Sequence, residues 1–248
     1  MEAPLKFINN LILEYSMQVT YNPRDNEGQI VYNLFLIPEV EREYAIKTLK
    51  RVIGAGITVS DMVRFIEPGE SLDDYTVSEG MLGICTVCSI TLDGILLRRG
   101  IPTRQIGGGV IEVESNQPRR FTHIILYEAT TFDPLQLMAS QDLTSVNRVI
   151  MDGNGYILGN IRECHMEAES LLHEVLDDCA SKHFSGILEV GMPNAPLLGV
   201  PVSPQYLGVV ALGGTNPFAA MKEEGHPVIT QAFKGLMDSR LMNPISYY

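Results

Sequence analysis

The chain carries one pattern of glycine and proline twice. The recurring positions lie 125 residues apart with no gap between them: Gly83 and Gly208, Gly100 and Gly225, Pro102 and Pro227. An upstream run, Gly28–Asn33, resembles Gly155–Asn160 at an offset of 127. A constant offset over so long a stretch predicts two copies of one structural unit. Two such copies form a cleft between them, where paired loops can bind a ligand with two similar ends.

The hydrophobic pattern predicts that each copy folds as hairpin, helix, strand, strand and helix, which places the chain in the α+β class. The first hairpin is predicted from Tyr15–Tyr21 and Gln29–Ile37, and the second from Val146–Met151 and Tyr156–Ile161. The boundaries are predicted as follows: one domain of residues 1–248, with copies at about 15–103 and 144–230 and a β-rich insertion at 104–143.

In both copies a buried strand is predicted to end in a loop of small polar residues that opens a helix. The first loop lies within Thr86–Thr91 and the second within Gly213–Asn216. Backbone N–H groups and the positive end of the helix dipole meet at such a junction, which suits a carboxylate or a phosphate. The alternative is that Ser89, Thr91 and Asn216 only cap their own helices.

Cys85 and Cys88 form a Cys-x-x-Cys motif, but no second pair with ligand spacing accompanies it, so no metal site is predicted. Cys85 lies in an apolar strand and is expected to be a core residue. Cys88 is predicted at a helix start, where the pKa of a thiol falls. A cysteine-dependent enzyme that uses Cys88 therefore stays an alternative, although none of the five histidines lies in a recognisable partner motif.

Two further segments and one arginine are candidates for binding or for a structural role. Gly191–Val202 is either a rigid turn or a loop that directs the Asn194 amide at a ligand. Arg162 is a candidate partner for an anion. Gly107–Gly109 lacks the residues of a phosphate-binding loop, so a bulge or a tight strand entry is predicted there.

The charge balance limits the partners of the chain. The net charge is −12, and lysine and arginine never cluster beyond a pair. A domain of this kind is not expected to bind nucleic acid by itself. No secretory leader and no apolar run of about 18 residues is visible, so a soluble, cytoplasmic protein without membrane contact is predicted. Four cysteines in 248 residues do not form a disulfide framework.

Several long, ordered runs resemble the regulatory domain of the archaeal nitrogen repressor NrpR, from about Ile12 to the end of the chain. The runs are Thr86–Leu97, Arg99–Pro102, Arg120–Thr122, Asp133–Leu135, Pro193–Pro201 and Gly213–Pro217. The resemblance implies a sensor of 2-oxoglutarate that controls repression of nitrogen-assimilation genes, with no catalytic residue, metal or cofactor. This ligand has a carboxylate at each end and therefore suits two anion-binding loops. By motif, the implied ligand-binding residues are Thr86, Cys88, Ser89, Thr91, Asn194, Gly214, Thr215 and Asn216.

The sequence departs from the family pattern at two places. Position 85 is Cys where glycine is expected, which makes the Cys-x-x-Cys motif incidental. Family repressors carry an N-terminal winged helix, and the sequence before Leu11 has no room for one. The chain is therefore expected to be either an excised regulatory domain or similar to a family variant without the DNA-binding domain. We expect action through a missing DNA-binding domain, a DNA-binding partner repressor or general transcription factors. The strand-rich insertion and the resemblance both predict a homodimer. A dimerisation module without a ligand is the remaining alternative.

Overall fold

The computed structural model describes residues 5–73 and 75–248, with the backbone alone for residues 230–234. Residues 1–4 and Asp74 belong to the predicted domain of residues 1–248 but lie outside the described residues. The helices and strands are, in chain order, α1 (Ile8–Gln18), β1 (Gln29–Pro38), α2 (Arg42–Gly54), β2 (Met62–Ile66), β3 (Ser71–Leu72), β4 (Tyr75–Thr76), β5 (Met81–Val87), α3 (Ile90–Arg98), β6 (Arg104–Glu114), β7 (Gln117–Leu126), α4 (Pro134–Ser140), α5 (Val146–Asp152), β8 (Gly155–His165), α6 (Glu169–Ala180), β9 (Ile187–Val190), β10 (Tyr206–Leu212), α7 (Asn216–Glu223), β11 (Ile229–Asp238) and β12 (Asn243–Pro244).

Two antiparallel sheets of five strands organise the chain. Their strand orders are β11-β1-β5-β2-β12 and β7-β6-β8-β10-β9, and β3 and β4 form a separate small hairpin. Helices and antiparallel sheets together confirm the predicted α+β class. Within the described ranges, no helix is long and apolar enough to span a membrane.

Each half of the chain adds its last strand to the sheet of the other half. β6 leaves the first half and pairs with β8, while β11 leaves the second half and pairs with β1. Both pairings are antiparallel, and both contain a register shift, at Tyr32/Leu34 in one sheet and at Gln105/Gly107 in the other. The second shift leaves Ile106 as the extra residue, whereas Gly107–Gly109 pair in regular register with both neighbouring strands, so the bulge lies one residue before the predicted segment. Because of this exchange, neither half completes its sheet without the other.

The same order of elements occurs twice along the chain. The order β1-α2-β2-β5-α3-β6 recurs as β8-α6-β9-β10-α7-β11. The register recurs as well, since Asn33 lies opposite Thr86 and Asn160 lies opposite Ala211. These correspondences support the predicted duplication, whose boundaries at 15–103 and 144–230 stay a prediction. Because β6 matches β11, only β7 and α4 of the segment 104–143 lack a counterpart.

The predicted opening hairpins are wrong. Tyr15–Tyr21 lies partly in helix α1, and Val146–Met151 lies in helix α5. The alternation of apolar residues suggested strands, but Ile8, Ile12 and Ser16 are buried at the four-residue spacing of a helix face. Each half therefore opens with a helix before its first strand.

The predicted strand-to-helix junctions are confirmed. Strands expected at Ile84–Val87 and Val209–Leu212 belong to β5 and β10, and the helices that follow, α3 and α7, begin within two residues of the predicted positions. One hydrophobic cluster joins both sheets, since it contains Leu34 of the first and Leu207 of the second. The junctions therefore lie on a common core.

Helix α1 packs closely against α3. At Gly94 in α3, an added Cβ atom would lie 2.8 Å from the carbonyl oxygen of Ser16 in α1. Only glycine permits this approach without a shift of one helix. The contact holds α1 beside the start of β6 and the side chain of Asp93. In this position α1 forms one wall of a cavity.

Candidate functional site

The two junction loops touch each other at the centre of the molecule. The hydroxyl of Thr86, at the end of β5, donates a hydrogen bond to the carbonyl oxygen of Gly214 over 3.0 Å. Asn33 of β1 donates from Nδ2 to the Val87 carbonyl oxygen over 3.4 Å. A side chain on Gly214 would collide with the Val87 carbonyl and the Asn33 amide. A glycine at this position is therefore required for the close approach of the two loops.

A second amide contacts the same junction loop from the other half. Asn160 occupies in β8 the place that Asn33 occupies in β1, and it donates from Nδ2 to the Ser89 hydroxyl over 2.7 Å. Its Oδ1 accepts a hydrogen bond from Nη2 of Arg162 over 2.7 Å. Asn160 thus links the first junction loop to a buried cation.

Arg162 is among the largest fully buried side chains, with 1% of its side chain exposed. Its Nε lies 2.8 Å from Oδ1 of Asp93, which is itself 2% exposed. Asp93 belongs to α3 and Arg162 to β8, so this ion pair joins the two halves. Oδ1 of Asp93 also accepts hydrogen bonds from Thr103 (3.0 Å) and Gln105 (2.6 Å).

The two loops, the paired asparagines and Arg162 enclose a small cavity that we call the inner chamber. Its free volume is about 20 Å³, which holds about one water molecule. The residues that line it are Ile12, Asn33, Cys88, Ser89, Ile90, Gln105, Tyr127, Asp133, Leu135, Asn160, Arg162, Gly214 and Thr215.

Among the described residues that line the inner chamber, three buried donor atoms make no hydrogen bond, and only one of them, Nε of Arg162, has an ion-pair partner in Asp93. Nη1 of Arg162 and the hydroxyl oxygen of Thr215 make no hydrogen bond to any part of the chain that the structure describes. Buried polar atoms are normally paired, and an unpaired one costs about 1–3 kcal/mol, more for a charged group. The chamber therefore presents unsatisfied hydrogen-bonding capacity beside a positive charge.

A larger cavity, which we call the outer cleft, lies on the other side of Ile12 and Gln105, and both residues line the two cavities. Its volume is about 500 Å³. Apolar and polar residues share its walls, which consist of Asn9, Asn10, Ile12, Leu13, Ser16, Asp93, Leu97, Pro102, Thr103, Arg104, Gln105, Ile106, Leu126, Glu128, Glu163, Pro201 and Ser203.

Burial controls the titration of the groups around the chamber. It raises the pKa of the Cys88 thiol to about 12, although a hydrogen bond from the Ile90 backbone acts in the opposite direction. It also raises the pKa of Tyr127 and, against the attraction of Arg162, that of Asp93. The pKa of Cys88 was expected to fall at the helix start, and this expectation is wrong because desolvation outweighs the helix end.

Four of the eight predicted ligand-binding residues line the inner chamber: Cys88, Ser89, Gly214 and Thr215. Thr86 lies directly behind them, through its bond to Gly214. Their role in ligand binding stays a prediction.

Thr91 and Asn216 have structural partners instead. Thr91 bonds through its hydroxyl to both the N–H and the carbonyl of Val31, and Asn216 bonds through its amide to both groups of Leu158. These residues hold the helix starts against β1 and β8 in corresponding ways. Neither they nor Ser89 place a side chain in a capping bond on their own helix, so the capping interpretation is wrong.

Asn194 lies away from the chamber. It is exposed, and its side-chain oxygen accepts a hydrogen bond from the Gln205 backbone over 2.7 Å. Its positive φ of 60° belongs to a tight turn, which fits the rigid-turn interpretation of Gly191–Val202.

Sequence reasoning did not include the two asparagines, Gln105, Tyr127 or Asp133 among the site residues. The signal for Asn33 and Asn160 was present, because both end the runs that recur at an offset of 127. Arg162 was identified only as a candidate, since its burial and its pairing with Asp93 depend on the exchange of strands. No comparable signal marks Gln105. Among the residues that the structure describes, no group of three potential ligands is arranged to hold a metal ion.

Comparison with known proteins assigns the chain to a family. The family described as "NrpR regulatory domains NRD1 and 2" matches residues 5–244. The chain is 31% identical over 239 residues to the global nitrogen regulator NrpRI of Methanosarcina mazei, covering 96% of this chain and 73% of the relative. It is 31% identical to the global nitrogen regulator NrpR of Methanococcus maripaludis, covering 88% of this chain and 36% of that relative.

A solved structure agrees with this assignment. The crystal structure of a nitrogen repressor-like protein from Methanococcus jannaschii matches with a TM-score of 0.84 and 26% identity, covering 98% of this chain and all of the other. The relatives are named as regulators, which sets aside the alternative of a cysteine-dependent enzyme. The chain belongs to the family of NrpR regulatory domains and is a regulator, not an enzyme.

Proposed function

We propose that the chain senses 2-oxoglutarate through the inner chamber and thereby controls repression of nitrogen-assimilation genes. The observation that carries the proposal is the buried guanidinium of Arg162, whose Nη1 has no partner among the described residues. Two edges of this group are held, by Asp93 and by Asn160. The remaining nitrogen is a fixed, desolvated donor for a carboxylate, the kind of contact that is shorter and stronger than a neutral hydrogen bond.

The rest of the chamber suits the same ligand. The hydroxyl of Thr215 is a second unsatisfied donor beside Nη1 of Arg162. The starts of α3 and α7 bring partial positive charge to two walls of the chamber. The small residues Ser89 and Gly214 leave the backbone accessible at each helix start. A dicarboxylate thus finds a cation and two helix ends.

Ligand binding requires the chamber to enlarge. Its volume of about 20 Å³ is far below that of a five-carbon diacid. The side chains of Ile12 and Gln105 separate it from the outer cleft, whose volume is about 500 Å³. We infer that displacement of this wall, which includes α1, accompanies binding and changes the shape that a partner meets.

The buried hydroxyl of Thr215, which has no hydrogen-bond partner among the described residues, allows a direct test of the site. Thr215→Val should weaken 2-oxoglutarate binding about 10- to 100-fold, because a hydrogen bond to a charged group is worth about 1.5–3 kcal/mol. The free energy of unfolding should not fall, since this hydroxyl has no partner to lose. Isothermal titration calorimetry and urea denaturation measure the two quantities.

Thr91→Val is the matched control. Thr91 is buried like Thr215, but its hydroxyl bonds to Val31 and does not line the chamber. We expect a stability loss of about 1–3 kcal/mol and an affinity within threefold of the wild type. If wild-type protein gains no stability from millimolar 2-oxoglutarate, or Thr215→Val binds as tightly as the wild type, the proposed site is rejected.

We propose that the regulatory output passes through a DNA-binding partner or general transcription factors. The net charge of −12 supports this route, because a bare acidic surface does not attract phosphates.

We also propose self-association through β7 and α4. An apolar surface lies between them, bordered by Ile124, Ile125 and Leu137, and Leu137 is 44% exposed.

Light scattering tests the proposed homodimer. At tens of micromolar, wild-type protein should show about twice the chain mass of 27.4 kDa. Leu137→Glu should shift it to the monomer, because a carboxylate cannot be buried unpaired in an apolar contact. Val40→Glu, at a side chain 91% exposed elsewhere, is the control and should remain dimeric. A wild-type mass of 27.4 kDa would contradict self-association.

A cysteine-labelling experiment checks the regulator assignment. Burial raises the pKa of Cys85, Cys88 and Cys179 to about 12 and that of Cys164 to about 11. The thiolate fraction at pH 8 is therefore very small, and we expect no fast reaction of native protein with Ellman's reagent. All four thiols should react after denaturation. A rapid native reaction that Cys88→Ser removes would restore the enzyme hypothesis.

A further inference from the structure

The positive charge in the inner chamber has a buried counter-ion that is not part of the chamber wall. Arg162 lines the chamber, whereas Asp93 lines the outer cleft and not the chamber. The two groups are 2.8 Å apart and almost completely buried, so water screens their interaction little. An anion that enters the chamber meets both the attraction of Arg162 and the repulsion of Asp93.

We propose that Asp93 is a specificity-determining residue that prevents Arg162 from binding small inorganic anions. The proposal rests on the proposed function, because it concerns the selectivity of the same chamber. With Asp93 in place, the empty site is close to electrically neutral, and charge alone gives an anion little binding free energy.

Discrimination then depends on hydrogen bonds instead of charge. An organic acid of the right shape reaches Nη1 of Arg162, the hydroxyl of Thr215 and the two helix starts together. A halide can accept hydrogen bonds, but a single atom cannot reach all of these donors at once, so fewer contacts offset the repulsion of Asp93. Selectivity of this kind uses a repulsive group against the wrong ligand as well as attractive groups for the right one.

The position of Asp93 is well fixed for this role. Thr103 and Gln105 both donate to the oxygen that faces Arg162. The other oxygen, Oδ2, has no hydrogen-bond partner among the described residues. These two hydrogen bonds, from Thr103 and from Gln105 of β6, hold the Asp93 carboxylate in place independently of Arg162. A ligand can therefore bind to Arg162 without displacing its counter-ion.

Asp93→Asn tests the proposal, because asparagine has the same shape and keeps an oxygen acceptor but lacks the charge. The probes are 2-oxoglutarate and chloride, titrated at pH 8 and constant ionic strength with gluconate as the balancing anion. In the variant, 200 mM chloride should raise the apparent Kd of 2-oxoglutarate about tenfold by competition, and chloride should raise the Tm. In wild-type protein the apparent Kd should change less than twofold.

Glu163→Gln is the matched control. Glu163 is also buried, with 1% of its side chain exposed, and it follows Arg162 in β8. Its carboxylate pairs with Arg104 and lines the outer cleft, not the chamber. If the effect is specific to the counter-ion of Arg162, this variant should behave like the wild type towards chloride. An equal chloride effect in both variants, or none in Asp93→Asn, overturns the proposal.

Two further measurements keep the test decisive. If Asp93→Asn does not fold in gluconate, its circular dichroism is measured again in chloride, and recovery of the folded spectrum supports the proposal. In that case the wild-type protein supplies the contrary test: a tenfold rise by chloride in its apparent Kd for 2-oxoglutarate overturns the proposal. If wild-type protein does not bind 2-oxoglutarate, the proposed function fails on its own. The comparison of chloride-dependent Tm between Asp93→Asn and Glu163→Gln then still decides the role of Asp93.

Discussion

The site depends on the buried ion pair between Arg162 and Asp93. An isolated charge in a protein interior is costly, and removing one partner of a buried pair commonly costs about 3–5 kcal/mol. The pair forms only because β8 presents Arg162 to the helix that follows β5. This arrangement in turn requires the two halves to share a core and to exchange β6 and β11. The same interaction thus links the architecture to the chemistry of the chamber.

Some corresponding residues of the two halves have the same role, and others have different roles. Thr91 and Asn216 do the same work, each binding both backbone groups of a residue in the first strand of its half. The pair Asn33 and Asn160 differs, because only Asn160 also holds the arginine. Under the proposed function, this single cation in a repeated frame sets one orientation for a two-ended ligand.

The sequence predicted the frame better than the site. The offset of 125 located both strand-to-helix junctions, since glycine and proline mark the same turns in each half. The prediction of secondary structure was wrong at α1 and α5, because apolar residues alternate over a short run there, as they do in a strand. The pairing of Arg162 with Asp93 was not predictable because Asp93 lies in a helix about 70 residues earlier, brought close by strand exchange. Whether Thr91 faced a ligand or a strand likewise depended on tertiary packing.

A crystal structure of the protein grown with 2-oxoglutarate tests the central claim most directly. The account predicts an enlarged inner chamber, with one ligand carboxylate within hydrogen-bonding distance of Nη1 of Arg162 and the hydroxyl of Thr215. Asp93 should remain paired with Nε of Arg162. Ligand density in the outer cleft or on the surface, with the chamber still closed around Arg162, would contradict it.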